Sequence, residues 1–140
     1  MITKSRQYKC DSIVVIVPDV GVVAGRCAEF VATSRRHGAR AVVRFDGELD
    51  CANEGLARVE VEIALDRGGT ELVLDLRGLT FLDVRGVQVL LDARSACRAQ
   101  QRRLLIVPAP ERVQRILELC GVAQYFELLE PDEYRASGVA

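Results

Sequence analysis

Apolar residues recur along this chain in two rhythms, and the changes of rhythm mark its elements. "CAEFVATSRR" and "ARAVVRFDGEL" are β-rich runs on either side of "HGA", which reads as a hairpin turn supplied by Gly38. The second run places Val42, Val43 and Phe45 in a strand that Gly47 ends or bulges. From Asp50 the spacing becomes helical: Ala52, Leu56, Val59 and Ile63 share one face, Asp50 is placed to cap, and Gly68 and Gly69 stop the helix. Leu72, Val73, Leu74 and Leu76 then form a nearly continuous apolar run, the pattern of a strand covered on both faces. A second helix is predicted from Asp83 to about Arg102, followed by a short buried strand in "RLLIVPAP". "PERVQRILELCG" reads as a third helix, with Pro110 in its first turn, Val113, Ile116, Leu117 and Cys120 on one face, and Gly121 closing it. "QYFELLEPDEYRASGVA" leaves room for a last edge strand and a short helix or tail. Ahead of all this, "SIVVIVP" fits either a short strand or an apolar arm laid on the domain.

Strands alternating with amphipathic helices after an opening hairpin predict an α/β fold, a small mixed sheet flanked by helices. With 140 residues and no repeat or linker, the chain reads as one domain over residues 26–140 behind an N-terminal extension, 1–25.

The stretch "TFLDVRGVQVLL" (80–91) breaks the pattern. On a helical wheel starting after Asp83, Gly86, Val89, Leu90, Ala93, Ala96 and Cys97 gather on the side that must face the sheet. Gln88, Asp92, Ser95 and Ala99 lie opposite. Val84, Val87 and Leu91 fall on a flank that a lone amphipathic helix would leave polar, and predict a small apolar contact patch beside the helix N-terminus.

Charge narrows the function classes. A net charge of -1 argues against a nucleic-acid partner, which needs a basic face; the cluster Arg35, Arg36 and Arg40 is too short to reverse that. No run reaches the length of a membrane span, since "SIVVIVPDVGVVAG" is interrupted by Pro18 and Asp19, and no secretory leader pattern is present, so a cytoplasmic location is expected. Five widely spaced cysteines (Cys10, Cys27, Cys51, Cys97, Cys120) without a Cys-x-x-Cys pair suggest reduced thiols; a redox-sensitive pair among them remains open. With His37 as the single histidine and no glycine-rich phosphate loop or Ser/His/Asp set, neither metal, cofactor nor enzymatic chemistry is expected.

The blocks "VVRFDGELDCANEGL", "ELVLDLRGLTFLDVRGVQVLL" and "LLIVPAPERVQRILELCGVAQYF" follow one another in an order and spacing that resembles a STAS domain, over about residues 28 to 130. That family includes bacterial anti-sigma-factor antagonists and the cytoplasmic ends of sulfate transporters. The resemblance implies a partner-switching cycle. The antagonist binds an anti-sigma factor that is also an ATP-dependent serine kinase, frees the sigma factor, and is released when the serine after a turn aspartate is phosphorylated. The family turn reads Asp-Ser-Ser-Gly or Asp-Ser-Thr-Gly; here it reads Asp83-Val84-Arg85-Gly86. A helix N-terminus suits a phosphate, and the added charge would expel a docked partner. Val84, at the phosphoacceptor position, has no hydroxyl to modify.

The resemblance also places Glu48 and Asp50 in an acidic loop beside the turn, with a cap for Asp50 as the alternative. Asp83 reads as an N-cap and Gly86 as a site of close helix-to-sheet packing. Arg85 opposes the helix dipole, so it is either drift or a contact with an acidic partner. Thr80 and Ser95 carry hydroxyls near the turn, but neither sits on the amide-rich helix end. The expected function is therefore a regulatory binding protein, a monomer or weak homodimer. It would act as an anti-sigma-factor antagonist without the serine switch, docking through Glu48, Asp50, Asp83, Val84, Arg85, Gly86, Val87 and Leu91. The alternative is a STAS module serving as a signalling scaffold or as a binder of a nucleotide or lipid.

Overall fold

A computed structural model describes residues 14–17, 21–24 and 30–136. Seven strands form one sheet in chain order: β1 (Val14–Val17), β2 (Gly21–Ala24), β3 (Phe30–His37), β4 (Arg40–Leu49), β5 (Glu71–Leu82), β6 (Arg103–Val107) and β7 (Glu127–Leu128). The pairs from β1 to β4 are antiparallel and those from β4 to β7 are parallel. The sheet is thus mixed, as the pattern predicts, and β3 and β4 form the expected hairpin, with Gly38 in the left-handed region at φ 60°. Val14–Val17 and Gly21–Ala24 supply two strands that extend the sheet from β3.

Each parallel crossover carries a helix: α1 (Glu54–Asp66), α2 (Val84–Ala99) and α3 (Glu111–Leu119), with α4 (Pro131–Ala136) after β7. The main core lies between one sheet face and α1 to α3. Leu72, Leu74 and Leu76 of β5 meet Leu56, Val61, Leu90 and Val113 there. The opposite sheet face carries a smaller cluster, Val42, Val73, Leu105 and Val107, closed by Leu129 and by Tyr134 of α4. β5 is therefore covered on both sides, which is why its sequence does not alternate.

Asp75 sits on that second face with its side chain wholly buried. It accepts from Arg77 Nε at 3.0 Å, Arg77 Nη2 at 2.9 Å and the Arg77 amide at 3.1 Å, with Arg44 at 3.6 Å. Burial alone would raise its pKa, but the hydrogen bonds and charges of Arg77 and Arg44 outweigh it and hold the carboxyl below its ordinary range. The Arg77 guanidinium in turn stacks over the Tyr134 ring, 5.0 Å from its centre, tying α4 to the sheet.

Several expectations are corrected. Asp50 does not cap α1: the N-cap is Asn53, because a turn over residues 51–53 intervenes before the helix begins. Asp50 instead holds that turn, its Oδ1 accepting from the Ala52 amide at 2.9 Å. Ala52 lies in the turn and is exposed, and Val59 is only half-buried. α2 ends at Ala99, before Arg102, because Gln101 takes a left-handed conformation (φ 56°). Cys120 lies past the end of α3 and is exposed, so it does not join that helix's buried face. Cys97 is buried, and burial pushes its thiol up to about 11. Cys10 and Cys27 fall outside the described residues.

Candidate functional site

The C-terminal ends of β4 and β5 and the first turn of α2 converge at one end of the sheet. Two irregularities in the β4–β5 ladder shape this end. Between Arg44/Asp46 and again between Gly47/Glu48, β5 carries one residue more than β4. The first is possible because Gly78 has no side chain; a Cβ there would lie 1.9 Å from Asp46 Oδ1. The slip breaks the alternation of β5, leaving both Thr80 and Phe81 exposed before Leu82 turns back into the core.

Asp83 caps α2, its Oδ1 accepting from the Gly86 amide at 2.9 Å. Its Oδ2 reaches across to the β4–α1 loop and accepts from the Cys51 amide at 3.2 Å, and its own amide donates to Leu49 O at 3.2 Å. Gly86 is buried, and a Cβ on it would lie 2.5 Å from Leu82 Cδ1 and 2.7 Å from Leu49 O. The absent side chain lets the first turn of α2 sink onto the ends of β4 and β5.

That close approach corrects the predicted patch. Val87 is only 5% exposed and belongs to the main core; Leu91 is half-buried and packs against it. With the helix lowered at Gly86, the buried arc widens to include the flank that the wheel left to solvent. Val84, by contrast, is 75% exposed. The apolar group beside it at this end is Phe81, 43% exposed, which lies in a strand run read as buried and so escaped the sequence pattern.

Arg85 has an internal partner that sequence reasoning missed. Its Nη2 lies 2.8 Å from Glu54 Oε1, in the first turn of α1. Glu54 is also 3.4 Å from Arg58, which lies 2.5 Å from Asp92, which accepts from Gln88 at 2.8 Å. Arg58 and Gln88 hold the Asp92 carboxyl below its ordinary range. This alternating chain of charges runs between α1 and α2. The (i, i+4) spacing of Glu54 and Arg58 signals that pair in the sequence, but no local spacing signals the contact of Arg85 with Glu54.

Glu48, next to last in β4, and Asp50, in the loop that follows, lie half-buried beside the turn, where Asn53 Nδ2 donates to Glu48 O at 2.8 Å and to Asp50 Oδ1 at 3.2 Å. The fold thus brings Glu48, Asp50, Asp83, Val84, Arg85 and Gly86 to one end, with Val87 and Leu91 turned inward. Thr80 is at the strand end and Ser95 on the outer face of α2, both away from the helix N-terminus.

Two depressions lie elsewhere. A cleft of about 130 Å³ between α1 and α2 has a floor of Val61, Leu65, Val89, Ala93 and Ala96, below the several hundred Å³ typical of sites for drug-sized ligands. A shallow concavity of about 610 Å³ runs along one face of α3, lined by Glu111, Gln114, Arg115 and Glu118. No group of three or more His, Cys, Asp or Glu able to hold a metal occurs among the described residues, and no described helix is long and apolar enough to cross a membrane.

Comparison with known proteins places this geometry. The STAS domain family profile matches residues 31–136. An anti-sigma F factor antagonist of Paenibacillus polymyxa is 28% identical over 82 residues, covering 58% of this chain and 70% of that protein. The crystal structure of an anti-sigma factor antagonist from Mycobacterium paratuberculosis superposes with a TM-score of 0.66 at 21% identity, covering 78% of this chain and 94% of that one. The anti-sigma factor antagonist SpoIIAA in its unphosphorylated form superposes with a TM-score of 0.60 at 21% identity, covering 79% and 98%.

Proposed function

The chain belongs to the STAS domain family, and on that premise we propose that it is an anti-sigma-factor antagonist. It binds an anti-sigma factor of the serine-kinase type, frees the sigma factor, and does so without release by serine phosphorylation. The observation that carries this reading is the α2 N-terminus. Asp83 and Gly86 keep a capped, closely packed turn, while the residue it presents to solvent is Val84. The turn leaves the side chain at position 84 accessible to another molecule. With valine displayed, a contact there is apolar and has no hydroxyl for a kinase to modify.

The remaining parts of the molecule agree with a binding role. Docking uses Val84 with Glu48, Asp50 and Asp83 around it, at an end where the Asp83–Cys51 bond ties the turn to the β4–α1 loop. A tie of this kind lowers the entropy lost on association.

The test is displacement. The purified protein is added to a complex of sigma factor and anti-sigma factor, with and without ATP, and free sigma factor is measured. The expected result is release of sigma factor that ATP does not reverse, with no phosphate on the protein by mass spectrometry. No displacement of sigma factor from any anti-sigma factor of the source organism overturns the reading. Stoichiometric phosphate on Thr80 or Ser95 would show that the switch had moved and not vanished.

A further inference from the structure

We infer that Phe81 and Val84 form the apolar centre of the docking face, and that the surface receiving them is an apolar recess bordered by arginine or lysine side chains. This rests on the reading above, in which the partner is an anti-sigma factor. Phe81 stands near the end of β5 and Val84 opens α2, so the two are three residues apart at the same end of the sheet. They are 43% and 75% exposed, whereas Leu79, Leu82 and Val87 between and beyond them are buried. Exposure of a phenylalanine here is not forced by chain polarity; it follows from the second slip, opposite Gly47 and Glu48, which inserts Thr80 between the buried Leu79 and Phe81.

The charges around this pair decide what can cover it. Glu48 is the cross-strand partner of Phe81, and Asp50 and Asp83 lie in the adjoining turns. None of the three carboxylates forms an ion pair among the described residues. Arg85, the cation next to Val84, is drawn away to Glu54. Asp50 and Asp83 accept hydrogen bonds from neighbouring N–H groups but have no cationic partner, and a purely apolar surface over Phe81 and Val84 would strip the remaining water from the three carboxylates without supplying one. A basic rim supplies the missing partners and steers the approach. A second copy of this chain would bring Glu48, Asp50 and Asp83 against their own likeness, which disfavours pairing of two such faces. At this surface the side chain at position 84 is an anchor, and dissociation follows ionic strength and competition from the sigma factor.

The experiment is a calorimetric titration of an anti-sigma factor that the wild-type protein displaces from sigma factor, run at low and high ionic strength. Phe81→Ser should raise Kd about tenfold or more, as for loss of an apolar anchor. Phe81→Thr, which keeps strand propensity, should do likewise with thermal stability unchanged. Glu48→Lys should weaken binding and flatten its salt dependence. Leu119→Ser, at an 80% exposed position at the end of α3, should change nothing. Wild-type affinity in both Phe81 variants, or a salt dependence unaltered by Glu48→Lys, overturns the inference while leaving the antagonist function standing. Wild-type protein that binds no anti-sigma factor removes that function and the inference with it. Self-association of the protein alone that Phe81→Thr abolishes would assign the face to a second copy and overturn the inference too.

Discussion

Asp83 and Cys51, thirty-two residues apart, are joined by a hydrogen bond of 3.2 Å from the Cys51 amide to Asp83 Oδ2, while Asp83 Oδ1 caps α2 at Gly86. One carboxylate therefore links the helix that presents Val84 to the loop that carries Asp50 and follows Glu48 of β4. The Asp83 amide bond to Leu49 O and the close packing of Gly86 on Leu49 join the same two segments.

Asp83→Ala should cost about 1–2 kcal/mol, the sum expected for a lost N-cap and a second charge-assisted bond. Asp83→Asn should cost less, since the amide oxygen still accepts from one N–H. Chemical denaturation of both variants checks the order. Equal stability of wild type and Asp83→Ala would mean that water replaces both bonds without loss.

Val84 and Val87 look alike on a helical wheel and differ in the folded protein, with 75% and 5% exposure. Val84→Asp should leave stability within about 1 kcal/mol of wild type. It also places a carboxylate in the first turn, where the helix dipole favours it. Val87→Asp should cost about 3 kcal/mol or more, because a charge is buried in the main core. Thermal melts of the two variants measure the difference, and only Val84→Asp should abolish partner capture without unfolding.

Val84→Ser restores a hydroxyl at a capped helix N-terminus. An anti-sigma factor with kinase activity should phosphorylate this variant and release it, whereas wild type stays bound at any ATP concentration. Phosphate adds close to two negative charges beside Glu48, Asp50 and Asp83, enough to cost a docked surface several kcal/mol. Binding measured with and without ATP on both proteins decides this. Equal release of both would show that the nucleotide state of the partner governs dissociation.

Asp75 gives the protein an acid limit. Its carboxyl titrates below its ordinary value of 3.8 in the folded state, so its contribution is complete above the unfolded pKa and is lost as pH falls through the folded one. Stability should therefore drop below about pH 4. Asp75→Asn should flatten that drop and lower stability at neutral pH by about 2 kcal/mol, because Arg77 and Arg44 lose their charged acceptor. Denaturation midpoints between acid and neutral pH, for wild type and variant, check the sign.

The order of elements from β3 onward was legible in the sequence because each carries its own local signal, whereas "SIVVIVP" fitted a strand or an arm equally and β2 gave no signal of its own. Gly38 marks the hairpin, Leu72 to Leu76 run without alternation, Pro110 opens α3, and the Asp83–Gly86 spacing is a cap-and-packing pattern complete within four residues. Burial along α2 was not legible in the same way. A wheel assumes one distance between helix and sheet, and Gly86 reduces that distance, taking Val87 inside and leaving Val84 out. Phe81 was hidden for a related reason: its exposure depends on two slips in pairing with β4, a strand more than thirty residues earlier. The role of Arg85 required its contact with Glu54, across two helices whose mutual placement no local spacing encodes. Which elements form, and that the turn lacks a hydroxyl, the amino-acid order determines by itself through short-range periodicity and turn chemistry. Which side chains the docking end offers was decided only by tertiary structure, because exposure and ion pairing depend on how closely segments distant in the chain approach.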